Sequence, residues 1–429
     1  MKSVFNRFAA NGFGCFIAVI ALVLAAPLGS FAQTHVVMWL SSQPTGVNAW
    51  AAEFEQAFNA ANPDIRLELL LHPSVSQQRE KLVLAVAAGN APDVVYESSN
   101  TMGEWVMNGI ATPLDGYLER MPDLGDFVPA ILDGVRYGGK TYALPFSVWT
   151  NVDLYNLDLL NESGVDLPAT WDELENAVRS LTRFRADGTI EVFGYRSSST
   201  PIFAYIDLER AMEQLGTTTI DPLGNRANLR NDQAQRAMEH LRELYRLGMP
   251  GSRGGTDLTG VAQGTVAIQH LAPTLNAQSL YEQIAQLGVA VAFRPIVGPT
   301  PDTGIVHHNA GTLFMVQTSQ NKEAAWRVME AWVRPENMAR YILAHGGSLP
   351  ARISLTTDPA LAGMPFADEF FALLGERITT YGSKHPLFVA FRAAAGTYLQ
   401  QAIEDQIGIS TALEQAEEAV NQIVRDFRL

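Results

Sequence analysis

The sequence predicts an α/β protein of two lobes, in which each lobe is a mainly parallel sheet flanked by helices. The first reason is the pattern over residues 35–97, where strand and helix periodicity alternate in the order β-α-β-α-β. The second reason is length. Removing an N-terminal segment of 32 residues from 429 leaves 397, more than one hydrophobic core normally serves.

The N-terminal segment predicts export. Lys2 and Arg7 precede an apolar run over residues 16–28, and Ser30 and Ala32 in Ser30-Phe31-Ala32 are the small residues that signal peptidase requires. The run is too short to cross a membrane as a helix. We therefore expect residues 1–32 to be a cleaved signal peptide and the protein to be periplasmic.

Cys15 is the only cysteine, and it lies before the apolar run. A cysteine that carries a lipid would follow such a run, so we expect no lipid anchor. The exported chain then has no cysteine for disulfides, thiolate catalysis or metal binding. Loss of Lys2 and Arg7 changes the net charge from −15 to about −17, which disfavours nucleic acid and anionic membranes as partners.

The first α/β segment places its polar residues at the ends of strands. Strand-like runs over residues 35–40, 65–69 and 91–97 alternate with helix-like runs over residues 50–61 and 82–90. Ligands of mainly parallel sheets bind beyond the carboxyl ends of the strands. Glu97 occupies such a position.

Residues 134–141 match the phosphate-loop pattern G-x-x-x-x-G-K-T. In a true phosphate loop a helix would begin at Lys140, but Pro145 and a β-rich run follow instead. A hairpin is the better interpretation. It has strands over 135–137 and 141–144, with Gly138-Gly139 supplying the positive φ angles of the turn, and it leaves Lys140 solvated.

The rest of the chain predicts a second α/β segment and a helical end. Thr170 and Glu173 form a capping-box pair that opens a helix. The further elements are a helix over 232–248, a strand over 265–271, a Pro/Gly-rich connector, a strand over 311–317, a helix over 321–333 and an entirely helical part from about residue 360.

Several segments carry a resemblance to a known family. They are AAGNAPDVVYE at 87–97, GIATPLDGYLE at 109–119, YGGKTYALPFSVWTNVDLYNLDLL at 137–160, GVDLPATWDELENAVRSLT at 164–182, then GTVAIQ, NAGTLFMVQTSQNKEAAWRVMEAWVRPENM, GGSLPAR and ALEQAEEAVNQIVRDF. In this order they resemble the family-1 extracellular solute-binding proteins of ABC importers. Nearly the whole exported chain is covered.

The resemblance implies the type II periplasmic-binding-protein fold, whose two lobes close on a solute and are joined by a hinge. It implies crossings between the lobes near residues 146–151, 301–308 and 352–358. The first lobe would contain residues 33–148 and 308–355, and the second residues 149–307 and 356–429. No cofactor is implied, and the partners would be a carbohydrate or polyol and the ABC permease, with the protein itself a monomer.

A cleft for a polyhydroxylated ligand needs carboxylates and amides for the hydroxyl groups and aromatic rings for the apolar sugar faces. For Glu97 the alternative is a surface or capping carboxylate, for Trp149 hinge packing, for His270 a hydrogen-bonded structural role, and for the Phe203–Tyr205 loop core packing. The candidates that the resemblance implies are Ser41, Gln43, Glu97, Ser98, Asn100, Trp149, Phe203, Tyr205, His270, Thr274, Asn309, Gly311, Ser348 and Arg392. Asn309 to Gly311 would form a small-residue turn.

The ligand class follows from the departures from the family pattern. The chain most resembles the branch that contains glycerol-3-phosphate binders, but Ser348 stands where those proteins tend to present tyrosine. A phosphate also requires an arginine. Arg392 is a candidate, whereas the position nearest the family's phosphate-holding arginine is Gln400. We therefore expect a neutral mono- or oligosaccharide, with glycerol-3-phosphate or a glycerophosphodiester as the alternative.

Other function classes are less favoured. The chain has no G-x-S-x-G and no H-E-x-x-H motif, and we expect no enzymatic activity, although the two carboxylates of a glycosidase are left open because their separation is a three-dimensional property. His307 and His308 would make a poor metal site, since successive residues of a strand point to opposite faces. An interaction or chemosensory role is compatible with solute binding.

Overall fold

The described part of the protein is an α/β fold built around one mixed sheet. The structure is a computed structural model and describes residues 33–427 except 42–43, 199, 222–225, 250–257, 274–277, 347 and 381–384. The predicted signal peptide, Gln43 and Thr274 lie outside the described residues. Within these ranges no helix is long and apolar enough to cross a membrane.

The chain alternates between strands and helices along most of its length. The strands are β1 Thr34–Ser41, β2 Ile65–His72, β3 Val94–Ser98, β4 Arg136–Tyr137, β5 Lys140–Thr141, β6 Leu144–Asn156, β7 Arg183–Phe184, β8 Ile190–Val192, β9 Ile268–Pro273, β10 Val291–Arg294, β11 Val306–Met315, β12 Leu349–Pro350 and β13 Ile378–Thr380. The helices are α1 Thr45–Ala61, α2 Val75–Ala88, α3 Met102–Met107, α4 Asp115–Leu118, α5 Pro129–Asp133, α6 Leu157–Ser163, α7 Trp171–Leu181, α8 Pro201–Gln214, α9 Asp232–Gly248, α10 Leu258–Ala262, α11 Gln278–Leu287, α12 Lys322–Trp332, α13 Pro335–His345, α14 Ala367–Leu373, α15 Phe388–Ile403 and α16 Ile409–Asp426.

The central sheet has nine strands, in the order β10-β6-β11-β3-β1-β2, with β9 and β12 also paired to β6 and β13 to β11. β1 is parallel to β2 and to β3, as the β-α-β-α-β pattern predicts. β6 is antiparallel to β9, β10, β11 and β12. The sheet is therefore mixed, and parallel pairing is found among β1, β2 and β3 and between β11 and β13.

Two long strands run through the middle of the molecule. β6 has thirteen residues, of which only Trp149 is not fully buried, and all ten residues of β11 are buried. The first half of β6 pairs with β11, from Leu144 to Asn151, and its second half pairs with β9 and β10. These strands physically connect the parts predicted as separate lobes, and the predicted lobe boundaries remain a prediction.

Three clusters of buried apolar side chains cover the sheet. The largest contains α1, α12 and α13 and centres on Trp332, whose ring lies 4.6 Å from that of Trp50 and 4.8 Å from that of Phe54. The second is formed by α7, α8, α9, α15 and α16, and a smaller third cluster lies beneath α2 and α3 around Trp105 and Phe314.

The hairpin prediction is confirmed. β4 pairs with β5 in antiparallel register, and Gly138 and Gly139 have φ angles of 55° and 78°. Two positive φ angles are the mark of the tight type I′ turn. Lys140 is exposed, and no helix begins there, so the phosphate-loop pattern has no structural counterpart.

The helix opened by Thr170 is also confirmed. Thr170 accepts a hydrogen bond from the backbone N–H of Glu173 at 3.3 Å, and the Glu173 carboxylate returns to the N–H of Ala169 at 2.7 Å. The apolar face of α7, including Trp171, Leu174, Val178 and Leu181, is buried as the helical spacing predicts.

Three expectations about the elements are wrong. The chain after residue 360 is not entirely helical, because β13 pairs in parallel with β11. The prediction failed since a strand of three residues is too short to show an alternating pattern. β11 begins at Val306 rather than at residue 311, so Asn309 to Gly311 lie inside a strand and form no turn. Phe203 and Tyr205 lie in helix α8, which starts with Pro201 at its first position, and not in a loop.

Candidate ligand-binding site

The carboxyl ends of β1, β2 and β3 lie side by side, because the three strands are parallel and adjacent. Glu97, the next-to-last residue of β3, is 2% exposed. A carboxylate so deeply buried requires donors. Arg79 on α2 supplies them through Nε, 2.9 Å from Oε2, and Nη2, 3.0 Å from Oε1, and the N–H of Ser98 donates to Oε1 at 2.8 Å.

The Arg79–Glu97 pair makes the strand end nearly neutral. Burial alone would lower the pKa of Arg79, but its bonds to Glu97 outweigh that effect and the pKa is raised. Glu104 lies close by, and its pKa is raised by burial and further by Glu97, against the opposing effect of Arg79. One cation therefore faces two carboxyl groups at this edge of the sheet.

Asn309 joins the loop after β3 to strand β11. Its Oδ1 accepts hydrogen bonds from Ser98 Oγ at 3.0 Å, from Ser99 Oγ at 2.6 Å and from the N–H of Asn100 at 3.3 Å. The N–H of Ala310 donates to Ser99 Oγ at 3.0 Å. This network holds residues 98–100, of which Ser98 and Asn100 are partly exposed.

Trp149 lies directly opposite Asn309 in the register of β6 and β11. It is the one residue of β6 that keeps part of its surface exposed, while Val148 and Thr150 on either side are completely buried. Side chains directly opposite each other on paired strands point to the same face. The structure therefore places Ser98, Asn309 and Trp149 on one face of adjoining strands, with Asn100 bonded to Asn309, whereas Glu97 lies opposite Thr312 on the other face.

Three other candidates are buried, as Glu97 is, and take no part in the bonds of the Ser98–Asn309 network described above. Ser348 is 0% and Ser41 is 1% exposed. Gly311 is buried opposite Ser147, where an added Cβ would lie 2.5 Å from Ser147 Oγ, so glycine is required for strand packing rather than for approach of a ligand.

The aromatic wall expected from the second lobe is not formed by Tyr205. This residue is 0% exposed, its hydroxyl bonds with Thr219 Oγ1 at 3.2 Å, and its ring lies 5.9 Å from that of Phe388. Phe203 is partly buried against the same core. Core packing was the alternative considered for both residues. It applies because helix α8 begins where a loop was expected.

His270 is 1% exposed and contacts two carboxylates. Its Nδ1 lies 2.6 Å from Asp153 Oδ1, and its Nε2 lies 3.0 Å from Asp207 Oδ1. It therefore has the hydrogen-bonded structural position that was the alternative to ligand binding.

Arg392 is partly buried on α15, and its guanidinium lies 5.4 Å from the centre of the Phe388 ring. Gln400, on the same helix, donates a hydrogen bond to Glu404 at 2.9 Å. Neither contact connects α15 to the Arg79–Glu97 pair.

Arg79 was not among the site residues predicted from the sequence. It lies on α2, five residues after the N-cap Ser74. The helical periodicity does not distinguish a charged residue that binds a buried partner from one that faces water. The available signal was the position of Glu97 at the end of a strand-like apolar run, since a carboxylate that such a strand buries needs a cationic or N–H partner.

The described residues contain no group of three or more side chains suited to hold a metal ion. His307 is buried in β11, and burial, then the Arg210 charge, lowers its pKa to about 3. The two adjacent histidines are thus placed within the sheet, as their strand position predicts.

Comparison with known proteins gives a consistent result. The family described as bacterial extracellular solute-binding protein matches residues 41–339. A protein of Brucella abortus (strain 2308), named only as a binding protein, is 28% identical over 336 residues, 77% of this chain and 78% of that one. The maltotriose-binding protein of Pyrococcus abyssi (strain GE5 / Orsay) is 23% identical over 339 residues, 77% of this chain and 69% of its own length.

The solved structures include the sugar-binding protein MalE of Xanthomonas citri. It superimposes with a TM-score of 0.80 at 21% identity, covering 92% of this chain and 98% of that one. This similarity confirms the predicted fold class.

Proposed function

This chain belongs to the family of bacterial extracellular solute-binding proteins, and we propose that it captures a neutral mono- or oligosaccharide and delivers it to the permease of an ABC importer. Membership of this family makes it a binding protein rather than an enzyme. We place the binding site between two lobes, where the ends of β1 to β3 adjoin the crossing strands β6 and β11.

The observation that supports the proposal is the continuity from Ser98, the residue after Glu97, through Asn309 to Trp149. Glu97 is followed by Ser98, Ser98 bonds to Asn309, and Asn309 lies opposite Trp149. Hydroxyl groups of a sugar would bond to the one remaining acceptor site of Glu97 and to Ser98 and Asn100. The apolar face of the sugar would stack on Trp149.

The charges at the site favour a neutral ligand over a phosphate dianion. The positive charge of Arg79 is matched by Glu97 at 2.9 Å, and Glu104 adds a second carboxyl group. A phosphate would have to compete with Glu97 for Arg79 and approach two acidic groups. The names of the Pyrococcus and Xanthomonas relatives, which specify maltotriose and sugar, support the same class.

Closure of two lobes around the sugar is part of the proposal. The lobes would consist of residues 33–148 with 308–355 and residues 149–307 with 356–429, and β6 and β11 would serve as hinge strands. The ligand would contact both lobes only in the closed state. It would therefore bind the closed state more tightly and shift the population toward it. The protein would act in the periplasm as a monomer after export, without a lipid anchor.

The test is thermal unfolding with maltotriose, other neutral sugars, polyols, glycerol-3-phosphate and glycerophosphodiesters. A ligand at a hundred times its dissociation constant stabilises the fold by about 2.7 kcal/mol. We expect a shift with neutral sugars, which are then recovered intact. A shift with phosphorylated compounds alone would refute the carbohydrate assignment, and recovery of cleaved sugar would refute the binding role.

A further inference from the structure

The deepest polar cluster of the described structure is centred on His270 rather than on the ligand site. His270 on β9 contacts Asp153 on β6 at 2.6 Å and Asp207 on α8 at 3.0 Å. Arg210, one turn along α8, contacts Asp207 at 3.3 Å. All four side chains are almost completely buried.

The geometry decides the charge on His270. Carboxylate oxygens accept hydrogen bonds, so a histidine with a carboxylate at each ring nitrogen donates from both and carries a proton on both. Two carboxylates, one guanidinium and one imidazolium sum to zero charge. Without the extra proton the cluster would hold one uncompensated negative charge in the protein interior, which is strongly unfavourable.

We propose that His270 is a positioning residue, whose imidazolium locks helix α8 and strand β9 to the crossing strand β6. Its role in ligand binding rests on the proposed function, whereas its charge and its mechanical role do not. Asp153 follows Trp149 by four residues on β6, and Asp207 follows Phe203 by four residues on α8. The cluster therefore sets the orientation of β6, which carries the candidate contact Trp149, relative to α8.

A second set of bonds extends the lock. Arg210 Nη1 donates to Gln214 Oε1 at 3.1 Å. Gln214 Nε2 donates to the carbonyl oxygens of Ile296 and Val297 at 2.9 and 3.0 Å. One face of α8 is thus bonded through polar groups to β6, β9 and the segment that follows β10.

The lock is sensitive to pH in one direction. Burial by itself would lower the pKa of His270, but Asp153 and Asp207 outweigh burial and raise it. A raised folded-state pKa means that the stabilisation is complete below the unfolded value of 6.5 and is lost as the pH rises through the folded-state pKa. While Asp153 and Asp207 stay ionised, the cluster therefore has its full stabilisation below pH 6.5 and loses it when the pH exceeds the raised pKa of His270.

The neighbouring groups do not titrate in that window. The pKa of His307 is lowered to about 3, mainly by burial, and burial also lowers that of His240. Burial raises the pKa of Tyr155 and of Tyr195 well above the usual value. Arginines keep their charge throughout this range. The titratable and charged groups facing the cluster are Tyr155, Tyr195, Arg196, His240, Arg294 and His307.

The first test is a long-range ¹H–¹⁵N spectrum of the histidine side chains without ligand. We expect one histidine whose two nitrogens are both protonated at pH 7.5, and whose signal disappears in His270→Gln. A single neutral tautomer for His270 at this pH would overturn the proposal. The matched control is His345→Gln, which removes another buried histidine whose pKa burial lowers to about 4, and it should leave the imidazolium signal unchanged.

The second test is hydrogen exchange of the ligand-free protein between pH 6 and 9, corrected for the intrinsic exchange rate. Each unit by which the pKa is raised corresponds to about a tenfold change in the opening equilibrium. We expect residues 201–214 to lose protection as the pH rises, by about tenfold for each unit by which the pKa of His270 is raised, while α1 and α12 do not.

Equal loss of protection in all helices, or none in α8, would overturn the positioning role. The pH series on the wild-type protein decides this even if His270→Gln fails to fold. Since no sugar is present, failure of the carbohydrate proposal leaves this result unaffected, and the reverse is also true.

Discussion

At the scale of single residues, the candidate site is a set of polar atoms whose bonding capacity is only partly used. Each oxygen of Glu97 accepts from Arg79, and Oε1 also accepts from the N–H of Ser98. An ionised carboxylate has about four acceptor sites, so one remains for a ligand hydroxyl. The carboxylate of Glu97 would therefore bond to Arg79 and to the ligand at the same time.

Replacing Glu97 by Gln tests its part in recognition. The amide keeps the size of the side chain but loses the charge that strengthens a bond to a hydroxyl, so we expect the affinity for the sugar to fall about tenfold. Titration calorimetry measures the change. Glu323→Gln, an exposed carboxylate paired with Arg120, is the control and should bind as the wild type does. Equal affinity of Glu97→Gln and wild type would remove Glu97 from the site.

Trp149 should be both a contact and a reporter. Its partly exposed ring would lose solvent when a sugar stacks on it, so ligand binding should change its fluorescence. In Trp149→Phe we expect most of the ligand-induced signal to be lost, and in Trp149→Ala about tenfold weaker binding. Trp326→Phe, in the core cluster with α12, should retain the signal. A full signal and normal affinity without Trp149 would contradict stacking.

At the scale of elements, the β4–β5 hairpin braces the ligand loop. The Tyr137 hydroxyl donates to the carbonyl oxygen of Ser99 at 3.4 Å, within the segment that Asn309 also holds. Burial raises the pKa of Tyr137 to about 12, so the hydroxyl remains a donor at physiological pH. The segment that matches a phosphate-loop pattern thus supports residues 98–100 as a hairpin.

The turn of this hairpin depends on Gly139, whose φ angle is 78°. A residue with a Cβ is destabilised by about 1–2 kcal/mol in the left-handed backbone conformation, so Gly139→Val should lower the free energy of unfolding by that amount. Urea unfolding measures it. Gly116→Ala, in helix α4 with open space around the position, is the control and should be neutral or slightly stabilising. An unchanged urea midpoint in Gly139→Val would refute the strained turn.

Long amphipathic elements were predictable, and short or fully buried elements were not. The spacing of Trp171, Leu174 and Leu181 predicted α7 because one helical face meets a core while the other meets water. β11 gave no alternation, since both of its faces are covered and polar His307 and Asn309 are buried by their neighbours. Its true start at Val306 could only be seen once those neighbours were in place.

At the scale of the whole molecule, the predicted lobes approach each other at Gly103. A Cβ on this residue of α3 would lie 3.0 Å from Cα and 3.2 Å from N of Pro386, just before α15. Gly103 belongs to the first predicted lobe and Pro386 to the second. The small residue therefore permits close backbone approach between segments assigned to the two predicted lobes.

We expect Gly103→Val to hold the lobes apart. The closed state would become less populated, and apparent affinity falls in proportion to the competent fraction. The expected result is about tenfold weaker sugar binding, with a larger radius of gyration in small-angle scattering of the ligand-bound protein. Gly125→Val, whose position has no atoms within 4 Å, is the control. Normal affinity and an unchanged radius in Gly103→Val would show that this contact does not limit closure.

The sequence by itself determined the class of the protein. The β-α-β-α-β pattern, the helix capped by Thr170, the Gly138-Gly139 turn and the ordered family segments rest on interactions between residues close in the chain, or on periodicity that a single line of sequence displays. The family match and the fold similarity confirm the conclusions drawn from them. The signal peptide and the lobe boundaries stay predictions.

Tertiary structure alone decided which side chains meet. Glu97 pairs with Arg79 across 18 positions of the chain, Asn309 with Ser98 across 211, and His270 with Asp153 across 117. Local propensity has no information about such partners, because the desolvation that makes each bond necessary exists only when distant elements pack together. For the same reason His270 was a candidate for the ligand in the sequence and is part of a buried ionic cluster in the fold.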